Sequence, residues 1–360
     1  MNYSIDSDIT KAYTLPAKFY LDQAIYDRSI EDIFASSWQW IGDKTTVADN
    51  AGSCYPFELL EGSLSEPLVL SRDKNNDLHC LSNVCTHRGK IIVEEAGQYR
   101  MLSCKYHGRC FHLDGQFRSM PEFKEAQNFP SAEDNLPQLP LKGLGNLLFT
   151  SINPKYSFEE TMQPIVERLS WFPFDQLSYD ADSSKTYMVD SHWALYCDNY
   201  LEGFHVPFVH PGLGANLNYQ DYATELYPHC NLQLGIASEE GAYFDLPKES
   251  PDYGKKVHAY YYWLFPNIML NIYTWGISIN RVEPLGLNKT RVVFKTYLLP
   301  NAAPQNFSDA LLHQTEMEDE DVVQSVQKGI QSRLYKRGRF SPKREQCVHH
   351  FHLLLSKWLQ

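Results

Sequence analysis

The chain has 360 residues, a formal net charge of −12 and a hydrophobic content of 43%, enough for two or more domains with a sizeable core. The acidic balance excludes a general nucleic-acid binder, which would carry a basic excess. No apolar run approaches a bilayer span, the first ten residues are polar rather than signal-like, and the cysteines are too sparse for a disulfide scaffold. The expectation is therefore a cytoplasmic protein with reduced thiols and no membrane partner.

Between Tyr20 and Trp40, the spacing of Ile25, Ile30, Ile33, Phe34 and Trp38 predicts a helix packed on something larger. From about residue 41 to 155 short apolar runs alternate with turn signals at Asp49–Gly52, Asn75–Asp77 and Leu113–Gly115, the pattern of a small antiparallel β domain. Two segments inside it stand out: Cys85-Thr86-His87 and Cys104-Lys105-Tyr106-His107. Each offers one thiolate and one imidazole. Zinc fingers usually pair like with like, whereas a one-and-one split suits a Rieske [2Fe-2S] centre, with two thiolates on one iron and two imidazoles on the other. A structural zinc, or unrelated core cysteines with nearby histidines, is the plainer alternative. Gly89 and Gly108 would let both loops turn tightly. Cys54, Cys80, Cys110, Cys197, Cys230 and Cys347 read as ordinary reduced cysteines. A Pro- and acid-rich excursion over Pro121–Pro140 closes this region.

A second domain begins near Ser157. Its segment Asp198–Pro211 carries Glu202, His205 and His210. On a helix Glu202 and His205 share a face, while His205 and His210 diverge by about 140°. Pro207 should end that helix and let His210 fold back beside His205. Residues Tyr260–Ile279 read as two central strands. Their aromatics Tyr260, Tyr261, Tyr262, Trp263, Tyr273 and Trp275 are numerous enough to line a pocket, although core packing is the commoner role. Asp309–Gln331 reads as a long amphipathic helix with Leu312, Val322, Val323, Val326 and Ile330 on one stripe. Asp319 falls in that stripe, where a charge is costly unless paired or bound to a cation. It is the expected third ligand of a 2-His-1-carboxylate triad. Asp321 is the fallback, and Glu318, Glu320 and Asp321 are expected to be solvated. The basic run Arg333–Arg339 is a solvated face, a subunit contact or a docking site. Gly143-Leu144-Gly145 and Gly212-Leu213-Gly214 lack a dinucleotide fingerprint. The mixture of strands and late helices indicates α+β.

These residues resemble those of the catalytic (alpha) subunit of a Rieske non-haem iron oxygenase, over nearly the whole chain. The matching stretches are Phe19-Tyr20 with Trp38, Cys85–Gly89, Cys104–Gly108, Asn199–His210, and Glu318-Asp319 with Val326–Gly329. The resemblance implies an N-terminal segment (1–40) packing on the catalytic domain, an all-β Rieske domain (41–155) and a helix-grip catalytic domain (156–360). It implies a [2Fe-2S] cluster on Cys85, His87, Cys104 and His107, and a mononuclear Fe(II) on His205, His210 and Asp319. A head-to-tail homotrimer is implied as well, with Glu202 bridging a cluster histidine of one subunit and an iron histidine of the next. Asp198 and Asn199 join Glu202 as catalytic candidates. Many ring-hydroxylating members have Asp at the Glu202 position, and Glu resembles members acting on quaternary amines. Lys105 and Arg109-Cys110 depart from the common Pro and Trp-Thr, outside the ligand set. The implied activity is O2 activation, with electrons from a separate NAD(P)H-dependent reductase or ferredoxin, to hydroxylate or demethylate a small amine such as choline, betaine or carnitine. The alternatives are aromatic-ring hydroxylation and a Rieske electron carrier without oxygenase activity.

Overall fold

The computed structural model describes residues 3–210, 222–238, 241–300, 302 and 309–359. They divide into two compact units, one of Trp38–Pro154 and one of Met1–Ser37 with Lys155–Gln360.

The first unit is built from short antiparallel strands: β1 (Gln39–Asp43), β2 (Ser53–Leu59), β3 (Glu66–Arg72), β4 (Leu78–Ser82), β5 (Gly97–Gln98), β6 (Leu102–Ser103), β7 (Cys110–Phe111), β8 (Phe117–Ser119), β9 (Gln138–Leu139), β10 (Leu141–Leu144) and β11 (Leu147–Thr150). They pair as β5-β2-β3-β4-β9, β1-β11-β10 and β6-β7-β8. Inward-facing Val69, Leu81, Leu102 and Phe111 form its core, and Cys85 and Cys104 are buried in the same cluster. The thiols are thus part of the packing, while the residues after them run out to the surface.

The second unit centres on a seven-stranded antiparallel sheet. Its strands are β12 (Ser178–Val189), β13 (Ala223–Leu226), β14 (Cys230–Ile236), β15 (Val257–Leu264), β16 (Ile268–Tyr273), β17 (Gly276–Gly286) and β18 (Lys289–Leu298), in the order β12-β18-β17-β16-β15-β14-β13. Tyr260–Ile279 therefore contributes to three strands rather than two. The extra turn rests on Gly276, where a Cβ would lie 2.0 Å from the carbonyl oxygen of Tyr297. Because strand side chains alternate between faces, one rung across the sheet reads Gln233, Tyr261, Asn271, Ser278, Thr296. Tyr260 and Tyr262 point to the other face. There Tyr260 packs 5.6 Å from Phe244, and the Tyr262 hydroxyl donates to the carbonyl of Pro164 in helix α2 (Phe158–Arg168). The rung's face is covered by α3 (Trp193–Tyr200), α5 (Asp309–Gly329) and α6 (Gln346–Trp358). Phe351 of α6 lies 5.9 Å from Trp193 and 5.1 Å from Trp263, ring to ring.

The N-terminal segment is less helical than its periodicity predicts. A 3-10 turn (Ala17–Tyr20), α1 (Gln23–Ser29) and a π turn (Ile30–Phe34) end before Trp38, and Trp40 lies in β1. The hydroxyls of Ser29 and Ser37 bond back to the carbonyls of Tyr26 and Ile33 and compete with the helical ladder. Part of the basic run near the C-terminus is committed within the chain. The guanidinium groups of Arg337 and Arg339 lie 4.3 and 4.6 Å from the Tyr13 ring, and the Lys336 carbonyl accepts from the Ala17 amide. No helix among the described residues is long and apolar enough to cross a membrane.

Candidate metal centres and active site

The two Cys/His loops share one backbone design. The amide of Cys85 donates to the carbonyl of Lys90 and that of Gly89 to the carbonyl of Cys85, both at 2.9 Å. Cys104 repeats the pattern with Arg109 at 2.8 Å and Gly108 at 3.0 Å. Gly89 and Gly108 take φ of +71° and +73°, a left-handed conformation open to glycine at little cost. Histidine stands two residues after the cysteine in one loop and three after it in the other. Both cysteines are buried, His87 is half-buried and His107 exposed, and the two imidazole centroids are 4.8 Å apart. Burial and the neighbouring Cys104 push the Cys85 thiol up. Two inward sulfurs beneath two outward imidazoles fit a cluster with unlike ends.

The departures from the family pattern have structural partners. Lys90 of the first loop and Lys105 of the second both pair with Glu94, at 2.5 and 3.0 Å. Arg109 is buried among Phe111, Phe117 and Phe129, 5.0 to 5.6 Å from their centroids, and pairs with Asp134 at 2.7 Å.

In the second unit α3 ends at Tyr200, so Glu202 and His205 occupy the turn that follows rather than one helix face. One Glu202 oxygen accepts from the amides of Phe204 and His205, and the other lies 2.7 Å from His205 Nδ1. Pro207 does not end a helix. It stands in the first turn of α4 (Val206–Val209), where its missing N–H is not needed, and α4 carries the chain round to His210. His210 Nδ1 lies 2.7 Å from Glu318 Oε2. Both Nε2 atoms then face Asp319 Oδ1, at 3.4 Å from His205 and 3.0 Å from His210. Asn199 Nδ2 donates to the same oxygen at 2.6 Å. All three donor atoms lie within 4.8 Å of one another.

Burial would lower the His205 pKa, but hydrogen bonds to Asp319 and Glu202 outweigh it and push it up to about 9. Burial would raise Asp319, and the two histidines instead hold it down at about 2. Two nitrogens and a carboxylate oxygen converging from one side, with the outer nitrogens anchored by carboxylates, fit a divalent metal of the iron type.

Helix α5 differs from its expected pattern. Among its described side chains Glu316, Glu320, Val323 and Gln327 are buried, with Ile330 buried just past its end and Asp319 half-buried, while Val326 is exposed. The expected stripe holds in part: Val323 and Ile330 are buried and, with Val322 and Val326, line one cavity, while the buried Glu316 and Glu320 add acids that the stripe does not include. Glu320 is buried rather than solvated, Glu318 anchors His210, and Asp321 is exposed and outside the donor group. The side chain of Leu312 lies outside the described residues.

Two cavities meet at His205. One, of about 180 Å³, is lined by residues that include Tyr196, Tyr261, Tyr273, Glu316 and the three donors. Of the six aromatics singled out from Tyr260 to Trp275, Tyr261 and Tyr273 line it and the other four do not. The other cavity, of about 250 Å³, is lined by Tyr20, Asp198, Glu345 and His352 among others, with Asn199, Glu202 and His205 shared by both. Asp198 faces this second side, where it accepts from the Tyr20 hydroxyl at 2.8 Å and lies 2.9 Å from His352 Nε2. Glu316 and His352 escaped the sequence reading, and Glu318 was expected to be solvated; helical spacing from Asp319 was the available signal for Glu316.

Residues 174–360 match the family model described as ring hydroxylating alpha subunit (catalytic domain), and residues 37–130 match the Rieske [2Fe-2S] domain. The chain is 29% identical to the chloroplastic choline monooxygenase of Arabidopsis thaliana, covering 96% of this chain and 83% of that one. It is 26% identical to the carnitine monooxygenase oxygenase subunit of Escherichia coli (strain K12), covering 96% and 94%. In fold it is similar to a quaternary ammonium Rieske monooxygenase, with TM-score 0.79, 21% identity, and coverage of 99% and 100%. A naphthalene 1,2-dioxygenase from Rhodococcus shares the fold at TM-score 0.71 and 16% identity, covering 96% and 93%.

Proposed function

The chain belongs to the family of ring-hydroxylating oxygenase alpha subunits, and from that premise we propose that it is a monooxygenase of small quaternary ammonium compounds. The family carries both a Rieske [2Fe-2S] cluster and a mononuclear iron, so an electron carrier without oxygenase activity is set aside. The observation that carries the substrate class is the cavity itself: at about 180 Å³ it is small, rimmed by tyrosines and acidic. Pockets for drug-sized ligands run to roughly 300–1,000 Å³, so this one suits a small substrate. Aromatic faces and carboxylates suit a compact cation. Choline and carnitine monooxygenases among the relatives point the same way.

Monooxygenation consumes O2, two electrons and two protons to give one hydroxylated carbon and one water. Bound in these sites, the mononuclear iron supplies O2-binding and redox chemistry and the cluster supplies an electron. The protein's own groups hold the rest in place. Cys85, His87, Cys104 and His107 would hold the cluster; His205, His210 and Asp319 would hold the iron. Glu202 and Glu318 keep a proton on Nδ1 of each iron-site histidine and leave Nε2 free for the metal. Asn199 fixes the Asp319 carboxylate. On the family pattern Glu202 also links His205 to His87 or His107 of an adjacent subunit in a homotrimer. Asp198 braces the same region through Tyr20 and His352. A separate NAD(P)H-dependent reductase or ferredoxin would deliver electrons. Eight unpaired cysteines suit a reducing compartment such as the cytoplasm.

The test is O2 uptake by the reconstituted holoprotein with a surrogate reductase. A panel of choline, betaines, carnitine and aromatic acids should give uptake matched to product with an ammonium compound. Uptake coupled to an aromatic acid, with none for any ammonium compound, would overturn the reading.

A further inference from the structure

The cavity beside the three iron-site donors holds a third carboxylate that the proposed chemistry does not use. Glu316 stands one helical turn before Asp319 on α5 and is 6% exposed. Its two oxygens lie 2.7 and 2.8 Å from the Tyr196 hydroxyl, its hydrogen-bond partner among the described residues. A buried carboxyl with one neutral donor is under-compensated: burial, with Asp319 and Glu320 nearby, pushes it well above the usual carboxylate range, and a bound cation is the complement that would keep it ionised. The protein offers none here. No lysine or arginine among the described residues lines the cavity, and the remaining segments of the chain contain none. Tyr200, Tyr222, Tyr261 and Tyr273 line the same space.

We propose that Glu316 is the counter-ion of the substrate's ammonium head, and that the cavity selects amine cations without a carboxylate over zwitterions such as betaines. This rests on the quaternary-ammonium reading and narrows it. The selectivity has an attractive and a repulsive part. Glu316 and the tyrosine faces attract the head by charge and cation–π contact. A carboxylate tail finds no guanidinium or ammonium partner and meets Glu316 instead.

The test uses the iron-loaded holoprotein and a pair of isosteres, choline and its uncharged carbon analogue 3,3-dimethylbutan-1-ol. Binding of each, and of glycine betaine, is measured by calorimetry on the wild type and on Glu316→Gln, with iron content determined alongside. The wild type should bind choline about tenfold or more tighter than either competitor, a gap of about 1.4 kcal/mol. In Glu316→Gln the preference for choline over its carbon analogue should shrink to about twofold, with iron content unchanged. An unaltered preference in the variant overturns the counter-ion role. Loss of iron overturns it too, since the carboxylate would then serve the metal. Wild-type binding of glycine betaine as tight as that of choline overturns the selectivity, and this comparison stands even where the variant does not fold. Failure of every ammonium compound to bind or turn over is a different outcome, which removes the quaternary-ammonium reading itself.

Discussion

His210 Nδ1 lies 2.7 Å from Glu318 Oε2, and His205 Nδ1 lies 2.7 Å from Glu202 Oε1. Each histidine of the candidate iron site therefore has its own carboxylate anchor, one from the turn after α3 and one from α5. The anchors fix ring orientation before any metal arrives, and both Nε2 atoms are left facing Asp319.

Removing the less protected anchor should weaken metal holding without unfolding the protein. Glu318 is partly exposed and also accepts from Gln314. Glu318→Gln is expected to lower iron affinity by about 10–100-fold, read by competition with a chelator, while the visible spectrum of the cluster is unchanged. Equal affinity in variant and wild type would show that His210 needs no anchor.

The two cluster loops should respond unequally to the same change. A Cβ on Gly89 meets nothing within 4 Å, whereas one on Gly108 lies 3.3 Å from Pro121 Cγ. Both positions carry the left-handed backbone penalty of about 1–2 kcal/mol for a non-glycine residue. Gly108→Ala adds a clash, so it should lose more cluster absorbance per protein and more thermal stability than Gly89→Ala. The reverse order would mean that the loops are not built as described.

Acid should destabilise the fold through two imidazoles, His192 buried and His350 half-buried. Burial lowers His192 from 6.5 to about 3 and His350 from 6.5 to about 4. Between pH 6.5 and these values the unfolded chain binds protons that the folded chain refuses. Their contribution is complete above pH 6.5 and is lost as pH falls through about 4 and then 3. His192→Asn, which retains an acceptor for the Ala194 amide, should flatten the fall in urea midpoint below pH 6.5. An equally steep fall in the variant would contradict the assignment.

The metal motifs were legible because ligation tolerates few residue types and the ligands lie close in sequence. Cys85, His87, Cys104 and His107 needed only their spacing, and Gly89 and Gly108 marked the turns. The α+β class followed from the change in apolar period. The inward face of α5 was harder to read. Hydrophobic periodicity locates a face that packs on apolar neighbours, and this one packs on a polar cavity through Glu316 and Asp319, with Glu320 buried beside them. Pro207 was misjudged for a related reason: proline stops a helix or starts one, and only the chain's direction after Tyr200 decides which. Among the aromatics, register separates Tyr261 and Tyr273 from Tyr260 and Tyr262, and register is set by pairing across strands distant in sequence.

The account rests on two separate iron centres in one chain, and Asp319 is where they can be told apart. The decisive measurement is the iron-to-sulfide ratio of Asp319→Ala beside the wild type, with low-temperature EPR after dithionite reduction. One cluster and one mononuclear iron give a wild-type ratio of about 1.5. The variant should fall to about 1 with its Rieske signal intact. A ratio that does not change on losing Asp319, or a wild type already at about 1 after iron loading, would contradict the second centre.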